Sequence, residues 1–66
     1  MGVDSRLHVM RGERGWTQAE LAQRAGVSRQ TINSIETGRF EPSLSLALKL
    51  AALFEVQVEA MFSLKG

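Results

Sequence analysis

Two capped segments separated by only three residues constrain the fold of this chain most. Residues Thr17-Gln-Ala-Glu20 have the capping-box pattern that begins a helix, and Gly26 is a residue type that commonly ends one. Ser28 is a typical N-cap for the next helix, so the connection is Gly26-Val27-Ser28. A connection this short that contains glycine favours a steep crossing of the two helices. The sequence therefore predicts a helix-turn-helix at about residues 17–37.

Helical periodicity and the positions of glycine and proline predict three more helices. Asp4 or Ser5 is expected to cap the first helix, and Ser43 follows the helix-breaking Pro42 and caps the fourth. Alternation of polar and apolar residues is nowhere long enough to predict a sheet. The five expected helices cover about residues 5–14, 17–26, 28–38, 43–54 and 58–62, with a tail at 63–66. The predicted fold class is all-α, as one compact domain over residues 1–66.

The size of the chain limits how it can be stabilised. A chain of 66 residues buries only about 60% of its unfolded surface. It has no cysteine for a disulfide, and His8 is its single histidine, which argues against a zinc site. An efficient helical core, self-association or both are therefore expected. The chain has no apolar run long enough for a membrane span and no apolar leader, so we expect a cytoplasmic protein without a cofactor.

The charges are unevenly distributed, although the formal net charge is only +1. Residues 1–40 contain all six arginines and four acidic residues, whereas residues 41–66 have a net charge of −1. The third helix lies in the basic part. Its outward face, in helical projection, carries Gln30, Ser34 and Thr37, flanked by Arg29, Asn33 and Thr31. Such side chains hydrogen-bond base edges and phosphates; the alternative is an ordinary solvated polar face.

Two charged residues fall on apolar faces. Glu36 lies close to the core direction of the third helix, and Arg11 lies on the apolar face of the first helix with Leu7 and Met10. Because a buried charge requires a partner, Arg11 and Glu36 are predicted to form a structural ion pair that joins the two helices. The alternative is a half-exposed pair of small energetic value.

The fourth helix has two apolar ridges. The residues of its core stripe are Leu44, Ala47, Leu50, Ala51 and Phe54. Leu46 and Leu53 form a second ridge beside this stripe. Two interpretations stay open: the last helix covers the second ridge, or the ridge is a dimer interface to which Met61 and Leu64 contribute.

The residues from Arg11 to Phe62 follow the pattern of a known family. The sequence Thr-Gln-x-Glu-Leu-Ala, then Gly-Val-Ser, then Ile-x-x-Ile-Glu-x-Gly resembles the lambda-repressor/Cro-like (Xre-type) helix-turn-helix family. The stretch from Pro42 to Phe62 is similar to that family's fourth and fifth helices. The resemblance implies a compact five-helix DNA-binding domain. Some members add short terminal strands, which would correspond here to residues 1–3 and 62–64.

The resemblance also implies roles for individual residues. Gln18 is expected to bond a phosphate or to brace the recognition helix, and Arg39 to meet a phosphate. The family pairs the residues at the positions of Arg11 and Glu36. The positions expected to face bases are Arg29, Gln30 and Ser34. Those expected to reach bases or phosphates are Thr31, Asn33 and Thr37.

The sequence thus predicts a transcriptional regulator that binds a palindromic operator in double-stranded DNA as a homodimer, with residues 29–37 in the major groove. The helix N-termini capped by Thr17 and Ser28 are expected to offer backbone N–H groups to phosphates. Repression, activation and the role of a restriction–modification controller all fit. The main alternative is an antitoxin-like protein-interaction module. We expect neither a membrane partner nor a small-molecule ligand, and His8 has no partner at a spacing that would indicate an enzyme.

Overall fold

Five helices and a two-stranded sheet make up the part of the chain that the computed structural model describes, residues 2–65. The elements are β1 (Val3–Ser5), α1 (Leu7–Glu13), α2 (Gln18–Ala25), α3 (Arg29–Glu36), α4 (Leu44–Leu53), α5 (Val58–Met61) and β2 (Phe62–Leu64). The predicted five-helix class is confirmed. No helix within residues 2–65 has the length and apolarity needed to cross a membrane.

Hydroxyl side chains begin three of the helices. The Thr17 hydroxyl accepts a hydrogen bond from the Glu20 N–H, and the Glu20 carboxylate accepts one from the Thr17 N–H at 2.8 Å, which completes the predicted capping box. Ser28 and Ser43 likewise accept bonds from the N–H groups three residues further on. Each bond satisfies a donor that the first turn of a helix leaves without a partner.

The turn between α2 and α3 depends on Gly26. Its φ of 73° lies in the left-handed region, which glycine adopts at little cost. The N–H groups of Gly26 and Val27 donate to the carbonyl oxygens of Gln23 and Ala22, so the end of α2 is closed by its own backbone. The chain can therefore leave α2 and enter α3 within three residues.

The two strands pair near the ends of the described chain. They run antiparallel, with Val3 opposite Leu64 and Ser5 opposite Phe62. The Arg6 N–H donates to the Met61 carbonyl oxygen at 2.8 Å and continues the ladder. The second strand lies at the expected residues 62–64, whereas the first lies at residues 3–5 rather than 1–3, and Met1 is outside the described residues.

This pairing corrects the predicted start of the first helix. Asp4 and Ser5 belong to β1, and Arg6 occupies the N-cap position of α1 without a side-chain capping bond. The Ser5 hydroxyl still accepts a bond from the Leu7 N–H at 3.0 Å. The helix begins at Leu7 because the backbone before it is hydrogen-bonded to β2 and to the Met61 carbonyl oxygen.

Each helix contributes one large side chain to the centre of the core. The fully buried large residues are Leu7, Leu21, Ile32, Leu50 and Met61, one from each of α1 to α5. Ile35, Phe54 and alanines of α2 and α4 complete the buried set. The core thus lies where all five helices converge.

Two apolar residues are placed differently from the sequence prediction. Met61 is not part of an exposed dimer surface, because α5 directs it into the core, where it is fully buried. Leu44, expected in the core stripe of α4, is 73% exposed. It is the first residue of α4, and the first buried residue of that helix is Ala47, so Leu44 lies beyond the edge of the core.

Gly12 and Gly26 are expected to respond oppositely to alanine. Gly12 lies in α1 with open space around the position of a new β-carbon, so Gly12→Ala should raise the free energy of unfolding by about 0.5–1 kcal/mol. Gly26→Ala should lower it by about 1–2 kcal/mol, because alanine is strained at a positive φ. Urea unfolding followed by circular dichroism measures both. Changes of the same sign would contradict these assignments.

Candidate nucleic-acid interface

The outward side of α3 and the residues just beyond it present a set of polar side chains. This surface, called the α3 face below, comprises Arg29, Gln30, Thr31, Asn33, Ser34, Thr37 and Arg39. All are exposed except Thr31 and Ser34, which are half-buried. On the opposite side of the helix, Ile32 and Ile35 are buried in the core. The packing of α3 therefore turns its hydrogen-bonding side chains towards solvent.

The N-termini of α2 and α3 add backbone donors. The hydroxyls of Thr17 and Ser28 accept bonds from the third residue of each helix, and the Ser28 hydroxyl also lies 2.9 Å from the Thr31 hydroxyl. The N–H groups of the first two residues of a helix have no acceptor within it, and the helix dipole favours an anion there. Both N-termini are therefore suited to phosphate oxygens.

A buried carboxylate connects α3 to α1. The Glu36 side chain is 4% exposed, and its two oxygens accept bonds from Nε and Nη2 of Arg11 at 2.7 and 3.2 Å. Arg11 is 14% exposed and donates through Nη1 to the Trp16 carbonyl oxygen at 2.7 Å. The two residues that the sequence predicts to pair thus form a two-point contact, which fixes direction as well as distance.

Gln18 extends this contact to α2. Its Nε2 donates to Glu36 Oε1 at 3.0 Å and to Asn33 Oδ1 at 3.2 Å. Of the two roles expected for Gln18, contact with α3 is the one present in this structure. The bond uses only the carbonyl oxygen of Asn33, so the NH2 group of Asn33 is left as a donor on the α3 face.

Burial and hydrogen bonding act in opposite directions on Glu36. Burial raises the pKa of its carboxyl group, whereas the hydrogen bonds from Arg11 and Gln18, together with the charge of Arg11, lower it. The net pKa lies below the ordinary value of 4.5. Glu36 is therefore ionised at neutral pH, and its charge holds Arg11 in place.

The chain after α3 folds back onto the end of the helix. Gly38 has a φ of 78°, and the Ser34 carbonyl oxygen accepts bonds from the N–H groups of Arg39 and Phe40 at 2.9 and 3.2 Å. Arg39 is therefore kept at the C-terminal end of the α3 face. The Thr37 hydroxyl donates to the Asn33 carbonyl oxygen at 2.9 Å, which leaves its oxygen as an acceptor for other groups.

Phe40 adjoins the α3 face, although the sequence pattern did not predict a functional role for it. Its side chain is 48% exposed. It lines a cavity of about 230 Å³ together with Ser28, Gln30, Thr31 and Ser34. The one sequence feature that could have indicated its role is that Phe40 is aromatic, whereas the other residues between Gly38 and Pro42 are charged.

Most of the chain, including all of α2 and α3, matches a known family. The family model described as Helix-turn-helix matches residues 7–60. The chain belongs to this helix-turn-helix family. Its fold is the DNA-binding fold of transcriptional regulators, and the proteins it matches are regulators rather than enzymes.

Relatives and solved structures agree with this assignment. An uncharacterized HTH-type transcriptional regulator of Methanocaldococcus jannaschii is 47% identical over 60 residues, which cover 91% of each chain. The immunity repressor protein of Bacillus phage phi105 is 39% identical over 92% of this chain and 42% of its own length. The structure of SinR, the master regulator for biofilm formation, in complex with DNA has a TM-score of 0.75 and 34% identity, over 82% of this chain and 87% of that one.

The leucines that the sequence predicts as candidate dimer contacts differ in how exposed they are in this structure. Leu46 and Leu53 are half-buried and pack against the core. Leu64, on β2, is 71% exposed. It also lines a shallow apolar cavity of about 210 Å³ with Val3 and Phe62 among its walls. The most exposed apolar side chain of the group is therefore on the sheet rather than on α4.

Glu36→Gln is expected to lower the free energy of unfolding by about 3 kcal/mol at neutral pH, because it leaves the Arg11 charge, which is only 14% exposed, without a counter-charge. Since the folded-state pKa of Glu36 lies below 4.5, its stabilisation is present above that pH and is lost as the pH falls through the folded-state value. The difference between wild type and variant should therefore shrink in acid, as measured by urea unfolding at a series of pH values.

Glu13→Gln, at the exposed end of α1, is the matched control and should follow the wild-type curve. Glu20, whose pKa is also lowered, mainly by the backbone N–H of Thr17, titrates in all three proteins and cancels in the comparison. If the difference between wild type and Glu36→Gln stayed constant from neutral to acid pH, the ionised pair would not be its source.

Proposed function

We propose that this chain is a transcriptional regulator that binds an operator in double-stranded DNA through the α3 face. The observation that carries the proposal is the fixed orientation of α3: Glu36 bonds to both Arg11 and Gln18, and the other side of the helix exposes uncharged hydrogen-bonding side chains with arginines at both ends. An α-helix fits the major groove of B-form DNA, where each base pair presents a distinct donor and acceptor pattern. Residues 29–37 form the recognition helix in this proposal.

Within the proposed complex, the side chains divide into base-reading and phosphate-binding groups. Arg29 is suited to guanine and Gln30 to adenine, since each can make two hydrogen bonds to that base. Ser34 and the NH2 group of Asn33 lie along the same face for further base contacts. Thr31 lies beside the base-reading side chains. The groups proposed for phosphates are Thr37, Arg39 and the helix N-termini capped by Thr17 and Ser28.

The operator is proposed to be palindromic and occupied by a homodimer. A two-fold symmetric pair of recognition helices reads half-sites about 34 Å apart, one turn of DNA. Leu64 on β2, which is 71% exposed, and the exposed part of the half-buried ridge of Leu46 and Leu53 are the proposed contacts for the second copy. Self-association also suits a domain of this size, which has a small core.

Repression is the proposed mode of action, in the cytoplasm of a prokaryote or a phage-infected cell. It is supported by the similarity to a phage immunity repressor and to SinR bound to DNA. A recognition helix in the major groove blocks access of the polymerase when the operator overlaps a promoter. The proposed extent of the DNA-binding domain is residues 1–66, with the helix-turn-helix at about 17–37.

Selection of bound duplexes from a random pool tests the proposal. We expect a two-fold symmetric sequence to be enriched and to bind two protomers, as measured by sedimentation of the protein–DNA complex. An asymmetric winner with one protomer would contradict the homodimer. Failure to enrich any duplex at low salt, together with a co-purifying protein partner, would instead indicate an antitoxin-like interaction module.

Gln30→Ala and Arg39→Ala are expected to affect binding to the selected operator differently. Gln30→Ala should lose discrimination at one base position and keep the salt dependence of binding, because it removes a base contact. Arg39→Ala should weaken all duplexes and reduce the slope of log K against log salt by about 1, because it removes a phosphate contact. Fluorescence anisotropy titrations at several salt concentrations give both quantities.

Gln57→Ala is the matched control, since Gln57 is exposed at the start of α5, outside the α3 face, and makes no side-chain capping bond. It should leave both discrimination and slope unchanged. Wild-type selectivity in the Gln30→Ala variant would show that the α3 face is not the reading surface.

A further inference from the structure

The cavity beside the recognition helix combines an aromatic wall with a base-reading position. The Phe40 ring forms one wall, and Gln30, Thr31 and Ser34 of α3 form the others, with Ser28 at the helix start. Nearly half of the Phe40 side chain is exposed. Other apolar side chains of this domain are equally exposed, but Phe40 is the one that lines a cavity with side chains of the proposed recognition helix.

Backbone hydrogen bonds hold Phe40 at this position. Its N–H and that of Arg39 both donate to the carbonyl oxygen of Ser34, one turn back in α3. The ring is therefore attached to the recognition helix rather than to a freely moving loop. Any molecule that fills the cavity meets Phe40 and α3 together.

The chemistry of the cavity disfavours a phosphate and favours a small apolar group. Within the part of the chain that the structure describes, its lining residues are uncharged. The Thr31 hydroxyl is engaged with Ser28 at 2.9 Å. Among the groups that base edges present in the major groove, the 5-methyl group of thymine is the apolar one, and phenylalanine and threonine are side chains that contact it.

We propose that Phe40 and α3 form a notch that receives the 5-methyl group of one thymine in each operator half-site, next to the base read by Gln30. This inference rests on the proposed function, since it assigns a specificity-determining residue to the same interface. It makes Phe40 a reader of sequence, unlike Arg39 beside it, which contacts phosphate.

Replacement of thymine by uracil in the selected operator tests the notch, because uracil lacks only the 5-methyl group. Each thymine is replaced in turn, symmetrically in both half-sites, and the dissociation constant is measured per half-site. At one position we expect binding to weaken by about four-fold, the factor that corresponds to removing one buried methyl group from its apolar contact. 5-Bromouracil, whose bromine has nearly the size of a methyl group, should restore binding at that position.

The same measurements with Phe40→Ala identify the residue responsible. The variant should bind the thymine operator about four-fold more weakly per half-site and no longer distinguish it from the uracil operator. Phe40→Leu, which keeps an apolar wall, should retain part of the distinction. Leu48→Ala is the matched control, because Leu48 is 51% exposed on α4 and does not line the cavity; it should leave the distinction intact.

Three results would overturn the inference while leaving the proposed function in place. Equal binding of every uracil-substituted operator would show that no methyl group is read. An unchanged uracil effect in Phe40→Ala, with wild-type affinity for both operators, would assign the methyl contact to other residues. Equal weakening of thymine and uracil operators by Phe40→Ala, with the distinction preserved, would place the ring against the sugar–phosphate backbone. Failure to bind any duplex would overturn the proposed function and this inference together.

Discussion

The buried Glu36 carboxylate is the interaction on which the arrangement of the helices depends. An ionised group removed from water costs several kcal/mol unless its oxygens are matched by donors, and here N–H groups of Arg11 and Gln18 supply the match. Hydrophobic contact is non-directional, whereas a two-point hydrogen-bonded pair fixes an angle. The apolar core brings α1, α2 and α3 together, and Glu36 sets how α3 is rotated between the other two.

Much of this architecture could be predicted from the sequence because its causes are local. The caps at Thr17, Ser28 and Ser43 act within four residues, and the left-handed turn at Gly26 follows from a single residue type. The pairing of Arg11 with Glu36 is a long-range contact, but helical periodicity places both charges on apolar faces, and burial then requires a partner. The polar composition of the α3 face follows from the same periodicity.

The remaining features depend on contacts between distant parts of the chain. Ser5 has the properties of a helix cap, yet strand pairing with Phe62 places it in β1. Met61 and Leu44 are both apolar residues of predicted helices. Only the position of the core shows that Met61 is buried and Leu44 is exposed. Phe40 was missed because nothing in its own segment shows that the backbone returns to Ser34 and brings the ring beside the recognition helix.

The pairing of β1 with β2 determines the order in which this chain can assemble. It joins Val3 to Leu64, about 60 residues apart, and the entropic cost of closing a loop rises with its length. Two strands of three residues form only a few hydrogen bonds, which offset little of that cost. The hydrogen bonds of a helix, in contrast, join residues that are close in the sequence, and such local contacts form early. We therefore expect the sheet to form after the helices, when packing of α5 has brought the two strands together.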